Sequence, residues 1–210
     1  MQNIKNIIFD YGNVIFNIDF VKAQEAWKQL GISNADVFFD HKQQDEIFNK
    51  FDRGEVSANE FRNYIRERSG NVNLTDQQID TAWNSMLLGV EKGNHELLTK
   101  IKNKYRTFLL SNTNAIHYDH IMKYLEINFG FQGNDHLFEK TYYSHLTGMR
   151  KPEINIFKMV LKENNLDASQ TLFIDDSPQH LIGAEQLGIK TFLLTKPDTI
   201  QQFFIRENLI

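Results

Sequence analysis

Three apolar runs that each end in polar or acidic side chains constrain the fold of this chain most strongly. The first run ends at Asp10, the second at Ser111-Asn112 and the third at Asp175-Asp176. Helical spacing follows the second and third runs, so strands alternate with helices. This alternation predicts a parallel sheet with right-handed crossovers, and ligands bind at the carboxyl edge of such sheets.

The second half of the chain contains most of the predicted core elements. Strands are predicted over 105–110, 141–144, 171–174 and 190–194, and helices over 115–125, 153–164 and 178–187. A short final helix within 198–210 is expected to pack Phe203, Phe204 and Ile205 against the core. These elements predict an α/β core of the Rossmann-like, doubly wound type.

Residues 17–90 have a different pattern, in which amphipathic helical stretches follow one another with no strand between them. These stretches cover 20–30, 35–51, 57–69 and 75–88. Capping-box patterns begin at Ser57 and Thr75. The chain is therefore predicted to have an α/β core formed by 1–16 and 91–210, with an all-helical cap formed by 17–90 inserted after the first strand.

Composition excludes several classes of chemistry. The 210 residues include no cysteine, so disulfides, thiolate catalysis and cysteine-bound zinc are excluded, as is typical of a cytoplasmic protein. The net charge of −4 argues against nucleic acid as a partner. We expect no membrane span, because no run approaches about 18 apolar residues, and no signal peptide, because the first residues lead directly into the first predicted strand. The sequence does not indicate an oligomeric state.

The acidic strand ends predict a metal site. Asp10, Asp175 and Asp176 would meet at one edge of the sheet, with no Cys or His between them in the motifs. Hard oxygen ligands of this kind suit Mg²⁺, and the carbonyl of Gly12 can supply another oxygen. The seven histidines are scattered and show no ligand spacing.

Cationic and hydroxyl groups near the same edge predict an anion cradle. Lys151, the hydroxyl of Ser111 and the backbone amides after Asp10 can together bind a phosphate group. Taken singly, the lysine could be solvated, Ser111-Asn112 could form a turn, and the Asp pair could cap a helix. Their joint occurrence favours phosphoryl transfer to an aspartate nucleophile.

Four short motifs, in order along the chain, resemble those of the haloacid dehalogenase-like hydrolases. They are FDYGNV at 9–14, LSNT at 110–113, MRKP at 149–152 and FIDDS at 173–177. The resemblance covers essentially the whole chain and is to the phosphatase branch with a helical cap. Within that branch the chain resembles bacterial phosphatases acting on α-glucose 1-phosphate and the phosphatase-like N-terminal domain of soluble epoxide hydrolases.

The resemblance implies roles for the acidic residues. Asp10 would be the nucleophile that forms an aspartyl-phosphate. Asp10, Asp176 and the carbonyl of Gly12 would ligate Mg²⁺, and Asp175 would be either a further ligand or an acceptor for a metal-bound water.

It also implies how phosphate is held. Ser111 and the amide of Asn112 would bind phosphate oxygens, and Lys151 would neutralise the charge on both nucleophile and phosphate. The implied activity is Mg²⁺-dependent hydrolysis of small phosphorylated metabolites, with sugar phosphates such as glucose 1-phosphate favoured.

One position departs from the family pattern. Most of these phosphatases carry a second Asp two residues after the nucleophile, which donates a proton to the leaving group, whereas this chain has Gly12. Three explanations are open: the substrate has a good leaving group, such as an anomeric hydroxyl; a cap residue such as Asp19 or Asp52 substitutes; or the protein binds phosphate or a partner without catalysis.

Two further interpretations concern the neighbourhood of the nucleophile and the cap. A metal-free dehalogenase is disfavoured, because its tyrosine would lie two residues after the nucleophile whereas Tyr11 lies one after. In the cap, Asp52 or Arg53 could contact a sugar or a second anion, or could belong to a solvated loop. Trp27 and Trp83 are expected in the cap's own core.

Overall fold

The computed structural model describes residues 3–32 and 45–210. Its strands are β1 (Asn6–Phe9), β2 (Phe16–Ile18), β3 (Leu87–Val90), β4 (Arg106–Ser111), β5 (Lys140–Tyr143), β6 (Thr171–Asp175) and β7 (Lys190–Leu193). Five of them form a parallel sheet in the order β5-β4-β1-β6-β7. The predicted parallel α/β sheet is thus confirmed, with β1 at its centre.

Helices cover the sheet and build the inserted segment. The α-helices of the described ranges are α1 (Phe20–Gln29), α2 (Glu46–Asp52), α3 (Ala58–Ser69), α4 (Asp76–Asn84), α5 (Asn94–Lys102), α6 (Ala115–Phe129), α7 (Ser144–Thr147), α8 (Ile154–Glu163), α9 (Pro178–Glu185) and α10 (Ile200–Arg206). A 3₁₀ turn, Ala168–Gln170, precedes β6. No helix in the described part of the chain is long and apolar enough to cross a membrane.

Strand residues alternate between two apolar layers, as a pleated sheet requires. Ile7 and Phe9 of β1 face a layer that contains residues of α5, α6 and α10. Ile8, between them, faces the other layer with residues of α8 and α9. Burial on both faces explains why β1 reads as an unbroken apolar run.

The inserted helices have an apolar core of their own. Trp27 and Trp83 lie within it with ring centroids 5.7 Å apart, which confirms the expectation for these two residues. Phe51 and Phe61 stack at 4.5 Å. Both predicted capping boxes are present at the starts of α3 and α4.

Three expectations need correction or fall outside the described residues. Strands do occur within 17–90, because β2 and β3 pair as an antiparallel ribbon. This ribbon joins short segments far apart in sequence, so local periodicity does not reveal it. Ile205 is 68% exposed, although Phe203 and Phe204 are fully buried as predicted. Of the helix predicted over 35–51, residues 35–44 lie outside the described residues. Separately from these three, the core–cap boundaries stay a prediction.

The end of α2 lies tightly against the core. Gly54, two residues beyond the helix, has φ +70°, and a Cβ built there would lie 2.3 Å from the backbone oxygen of His145. Gly70, at the end of α3, has a similar φ of +66° but nothing within 4 Å of such a Cβ. Of these two glycines, Gly54 alone combines the left-handed backbone with a steric requirement.

We predict that Gly54→Ala lowers the free energy of unfolding by about 1–3 kcal/mol more than Gly70→Ala does. Both substitutions incur the left-handed backbone penalty, but only the first also forces α2 away from His145. Urea denaturation of the two variants measures the difference. Equal losses of stability would show that the α2–core contact can relax without cost.

Candidate active site

The carboxyl ends of three neighbouring strands bring the predicted residues together. Asp10 directly follows β1, and its amide donates to the carbonyl of Ile174 at 2.9 Å, which holds it against β6. Ser111 ends β4 and Asp175 ends β6, and both are buried. The order of the sheet therefore places all three side chains at one edge.

Lys151 is the cation at the centre of this edge. Its side chain is fully buried, and its Nζ donates to Asp10 Oδ1 at 2.5 Å and to Asp175 Oδ2 at 2.7 Å. Burial alone would lower the pKa of Lys151, but the two carboxylates outweigh that effect and raise it. An ammonium so deeply buried depends on these partners, because an unpaired charge there would be very costly.

Asp175 is fully engaged by donors. Its Oδ1 accepts from the amide of Ser177 at 2.8 Å, and its oxygens lie 3.0 and 3.1 Å from Nδ1 of His180. Burial opposes ionisation, but Lys151 and His180 together hold the pKa of Asp175 at about 2. This carboxylate is consequently the one that stays ionised most firmly.

The other two carboxyls, Asp10 and Asp176, resist ionisation. Burial raises the pKa of Asp10 to about 7, with Asp175 and Asp176 adding repulsion that Lys151 only partly offsets. Burial and the neighbouring Asp175 raise the pKa of Asp176 to about 6, although Asn13 donates to it at 3.1 Å.

These three carboxyls are close enough together to hold one cation. One oxygen from each of Asp10, Asp175 and Asp176 lies within 4.8 Å of the others. Lys151 donates to two of them, Asp10 and Asp175, so full ionisation of all three leaves a negative excess. An all-oxygen donor set with excess negative charge fits a hard divalent cation.

Asn112 has a function that the sequence did not reveal. Its side-chain amide donates to the carbonyl of Lys151 at 2.9 Å and accepts from the amide of Lys151 at the same distance. The loop that carries the buried lysine is thereby tied to the end of β4. The sequence had suggested only the backbone amide of Asn112, as a phosphate ligand.

A cavity of about 150 Å³ lies between this edge and the inserted helices. Asp10, Ser111 and Asp176 line its core side, and apolar side chains such as Phe48 and Trp83 line its cap side. Aspartate, hydroxyl and apolar groups thus enclose one small space, in which an ester of phosphate would be shielded from water.

Four further residues line this cavity and had no assigned role. Asn13 and His180 contact acidic side chains at the sheet edge, whereas Asn114 and His117 lie beneath the cap. Asn13 and Asn114 belong to or adjoin the motifs, but their side-chain contacts depend on the packed structure. Histidine spacing offered no signal for His117 or His180.

The position two residues after Asp10 is filled by a neighbour. A Cβ built on Gly12 would lie 2.7 Å from Cδ1 of Ile18, on the strand β2. Asp19 accepts from the amide of Val21 as the N-cap of α1 and is not among the cavity-lining residues. Asp52 does line the cavity. Of the two cap acids considered, only Asp52 therefore faces the site.

Fold and site together define a hydrolase built around an acidic, lysine-containing sheet edge. A model of the haloacid dehalogenase-like hydrolases matches residues 4–188, and the chain belongs to this family. The family resemblance seen in the motifs is thereby confirmed, and the protein is an enzyme of the hydrolase class.

Individual relatives are similar along most of their length. The chain is 34% identical over 193 residues to the D-ribitol-5-phosphate phosphatase of Bacteroides thetaiotaomicron, covering 90% of this chain and 91% of the relative. It is 26% identical over 196 residues to a sesquiterpene phosphatase of Aspergillus oryzae, with coverage of 91% and 90%. A haloacid dehalogenase-family enzyme of Bacteroides thetaiotaomicron, solved with magnesium and inorganic phosphate, matches with a TM-score of 0.83 at 37% identity, covering 96% of this chain and 99% of that one.

Beneath the cap, His117 is buried in surroundings that disfavour the protonated, charged form of its ring. Its Nε2 lies 3.2 Å from the carbonyl of Trp83, and its Nδ1 lies 3.4 Å from the amide nitrogen of Asn114. Burial lowers the pKa of His117 from 6.5 to about 3, and the Trp83 carbonyl offsets this only in part. The neutral ring satisfies both contacts as donor and acceptor.

We predict that His117 makes the protein less stable as the pH falls. Below pH 6.5 the unfolded chain binds a proton at this residue and the folded chain does not, so stability is complete above pH 6.5 and declines toward pH 3. Between pH 7.5 and 5 the contribution of His117 to this loss is about 2 kcal/mol. Urea denaturation at the two pH values should therefore show a change in unfolding free energy that is about 2 kcal/mol less favourable on acidification in the native protein than in His117→Gln. Parallel pH profiles for the two proteins would contradict the prediction.

Proposed function

We propose that this hydrolase is a Mg²⁺-dependent phosphatase that acts through an aspartyl-phosphate at Asp10. The observation that carries the proposal is the buried cluster in which Lys151 bridges Asp10 and Asp175 beside Asp176. The similarity to two phosphatases and to a structure solved with magnesium and phosphate supports it.

The residues divide between metal binding and positioning. Asp10, Asp176 and the carbonyl of Gly12 would hold Mg²⁺, which supplies positive charge to the phosphoryl oxygens. Asp175 already accepts from Lys151, Ser177 and His180, so its role in this proposal is to keep Lys151 in place.

The reaction then proceeds in two displacements. An oxygen of Asp10 attacks phosphorus, the bond to the ester oxygen breaks, and that oxygen leaves with the bonding electrons and takes a proton from solvent water to become the alcohol. Lys151 neutralises charge on the nucleophile and the phosphoryl group, while the hydroxyl of Ser111 and the amide of Asn112 bind phosphoryl oxygens. Water then attacks the aspartyl-phosphate, which releases phosphate and restores the carboxylate of Asp10.

The substrates proposed are small sugar or polyol phosphates. The relative that hydrolyses D-ribitol 5-phosphate supports this class, and the small cavity agrees with a metabolite of that size. Glucose 1-phosphate stays within the proposal, because its anomeric leaving group would need little protonation where Gly12 provides no acid. A metal-free dehalogenase would leave the negative excess at Asp10 and Asp176 without a function.

We expect phosphate release from a panel of sugar and polyol phosphates to require both Asp10 and Mg²⁺. Asp10→Asn should lower kcat by at least about 10³-fold, because it removes the nucleophile, and EDTA should abolish release until Mg²⁺ is restored. Asp119→Asn, at an exposed aspartate, is the matched control. If no substrate is hydrolysed faster by the native protein than by Asp10→Asn, the chain is a phosphate-binding or interaction module on a phosphatase scaffold.

Gly12, two residues after the nucleophile, leads to a separate prediction. Without an acid at Gly12, glucose 1-phosphate should be hydrolysed at least about 10²-fold faster than glucose 6-phosphate, whose leaving alcohol is less acidic. Restoring an acid with Gly12→Asp needs space, which Ile18→Ala provides. The double variant should lower the ratio of the glucose 1-phosphate rate to the glucose 6-phosphate rate, whereas Ile18→Ala alone should leave that ratio unchanged. Equal rates on both esters in the native protein would mean that another residue donates the proton.

A further inference from the structure

We propose that Asp52 and Arg150 form a subsite that binds adjacent hydroxyl groups of the substrate and thereby selects polyhydroxylated phosphates. This inference rests on the proposed phosphatase function and specifies the part of the substrate that leaves. Both residues line the cavity that also contains Asp10. Asp52 comes from α2 of the inserted segment, and Arg150 comes from the core loop directly before Lys151.

The carboxylate of Asp52 has hydrogen-bonding capacity to spare. Its Oδ2 lies 3.5 Å from Nη2 of Arg150, and its Oδ1 lies 3.4 Å from the side-chain nitrogen of Asn114. Both distances are at the outer limit of a hydrogen bond, whereas a carboxylate can accept about four good ones. The side chain is only 16% exposed, so bulk water compensates little of this deficit.

The guanidinium of Arg150 also makes fewer hydrogen bonds than it can donate. Its Nη1 donates to Oδ1 of Asn49 at 2.6 Å, but its Nε is buried and has no hydrogen-bond partner. Burial raises the pKa of Asp52, with Arg150 and Asn114 opposing that rise. Arg150 and Asp52 therefore line the same cavity while Nη2 of Arg150 reaches Asp52 only at 3.5 Å, which leaves capacity for a substrate hydroxyl on both groups.

A hydroxyl group satisfies both residues at once. It can donate its proton to Asp52 and accept from Arg150 or Asn114, and two neighbouring hydroxyls can do so together. A second phosphate would be repelled by Asp52, and an aliphatic chain would desolvate both charges without replacing their hydrogen bonds. The chemistry of the pair thus favours a neutral sugar or polyol chain over a bisphosphate or a terpenoid.

The neighbouring ion pair keeps this subsite open to the substrate. On the outer side of the same contact, Arg53 donates to Glu153 at 2.8 Å, and the two form an ion pair at 2.7 Å. Cap and core are thus already joined by a short ion pair that does not line the cavity. The longer Asp52–Arg150 pair inside the cavity can then bind hydroxyl groups, because the contact between cap and core does not depend on this pair alone.

The test compares two phosphate esters with the same five-carbon primary alcohol skeleton. Ribitol 5-phosphate carries hydroxyls along its chain, and pentyl phosphate carries none. We expect the ratio of their kcat/KM values to fall by about 10–100-fold in Asp52→Ala relative to the native protein, because hydrogen bonds to charged groups are lost. The fall should come mainly from ribitol 5-phosphate. Asp52→Asn, which keeps the shape but not the charge, should lower the ratio less.

Glu153→Gln is the matched control, because it weakens the outer contact without touching the cavity. It should leave the ratio within about twofold of the native value. The subsite would be overturned if Asp52→Ala left the ratio of kcat/KM values unchanged, or if Glu153→Gln lowered that ratio as much as Asp52→Ala does. Either result would indicate that Asp52 has a structural role in joining cap to core.

The design separates this inference from the proposed function. If the Mg²⁺-treated native protein hydrolyses no ester of the sugar and polyol phosphate panel, the phosphatase proposal fails; if it hydrolyses neither ribitol 5-phosphate nor pentyl phosphate, calorimetric binding of these two esters tests the subsite. Tighter binding of ribitol 5-phosphate in the native protein, lost in Asp52→Ala, would support the subsite. Equal binding of both esters would overturn it.

Discussion

The buried contact of Lys151 with Asp10 and Asp175 is the interaction on which the rest of the site depends. The ammonium is fully buried and within 2.7 Å of both carboxylates. Such a charge is tolerated only if its partners are held firmly, which requires the ends of β1 and β6 to lie side by side. The two hydrogen bonds between the Asn112 side chain and the Lys151 backbone also hold the lysine in position.

A single lysine among three acidic residues leaves the site short of positive charge. The raised pKa values of Asp10 and Asp176 reflect that shortage, and a divalent cation together with the lysine would remove it. The same charge balance explains how a carboxylate could approach a phosphate dianion.

Cap and core meet over this site through α2 and the loop before Lys151. The short Arg53–Glu153 contact and the crowded Gly54 hold the two together on the outside. Inside, the looser Asp52–Arg150 pair faces the cavity. The loop that carries Lys151 therefore also carries Arg150, and in the proposed subsite this would couple substrate recognition to the chemistry.

The sequence by itself determined the parallel core, the sheet edge at which Asp10, Ser111 and Asp175 meet, and the family. These features could be predicted because each strand end and each motif consists of consecutive residues. Tertiary structure alone decided the β2–β3 ribbon, the exposure of Ile205, and the filling of the space beside Gly12 by Ile18. It also decided which cap acid reaches the cavity. These features arise from contacts between residues distant in sequence, whose pairing depends on how cap and core pack and leaves no local periodicity.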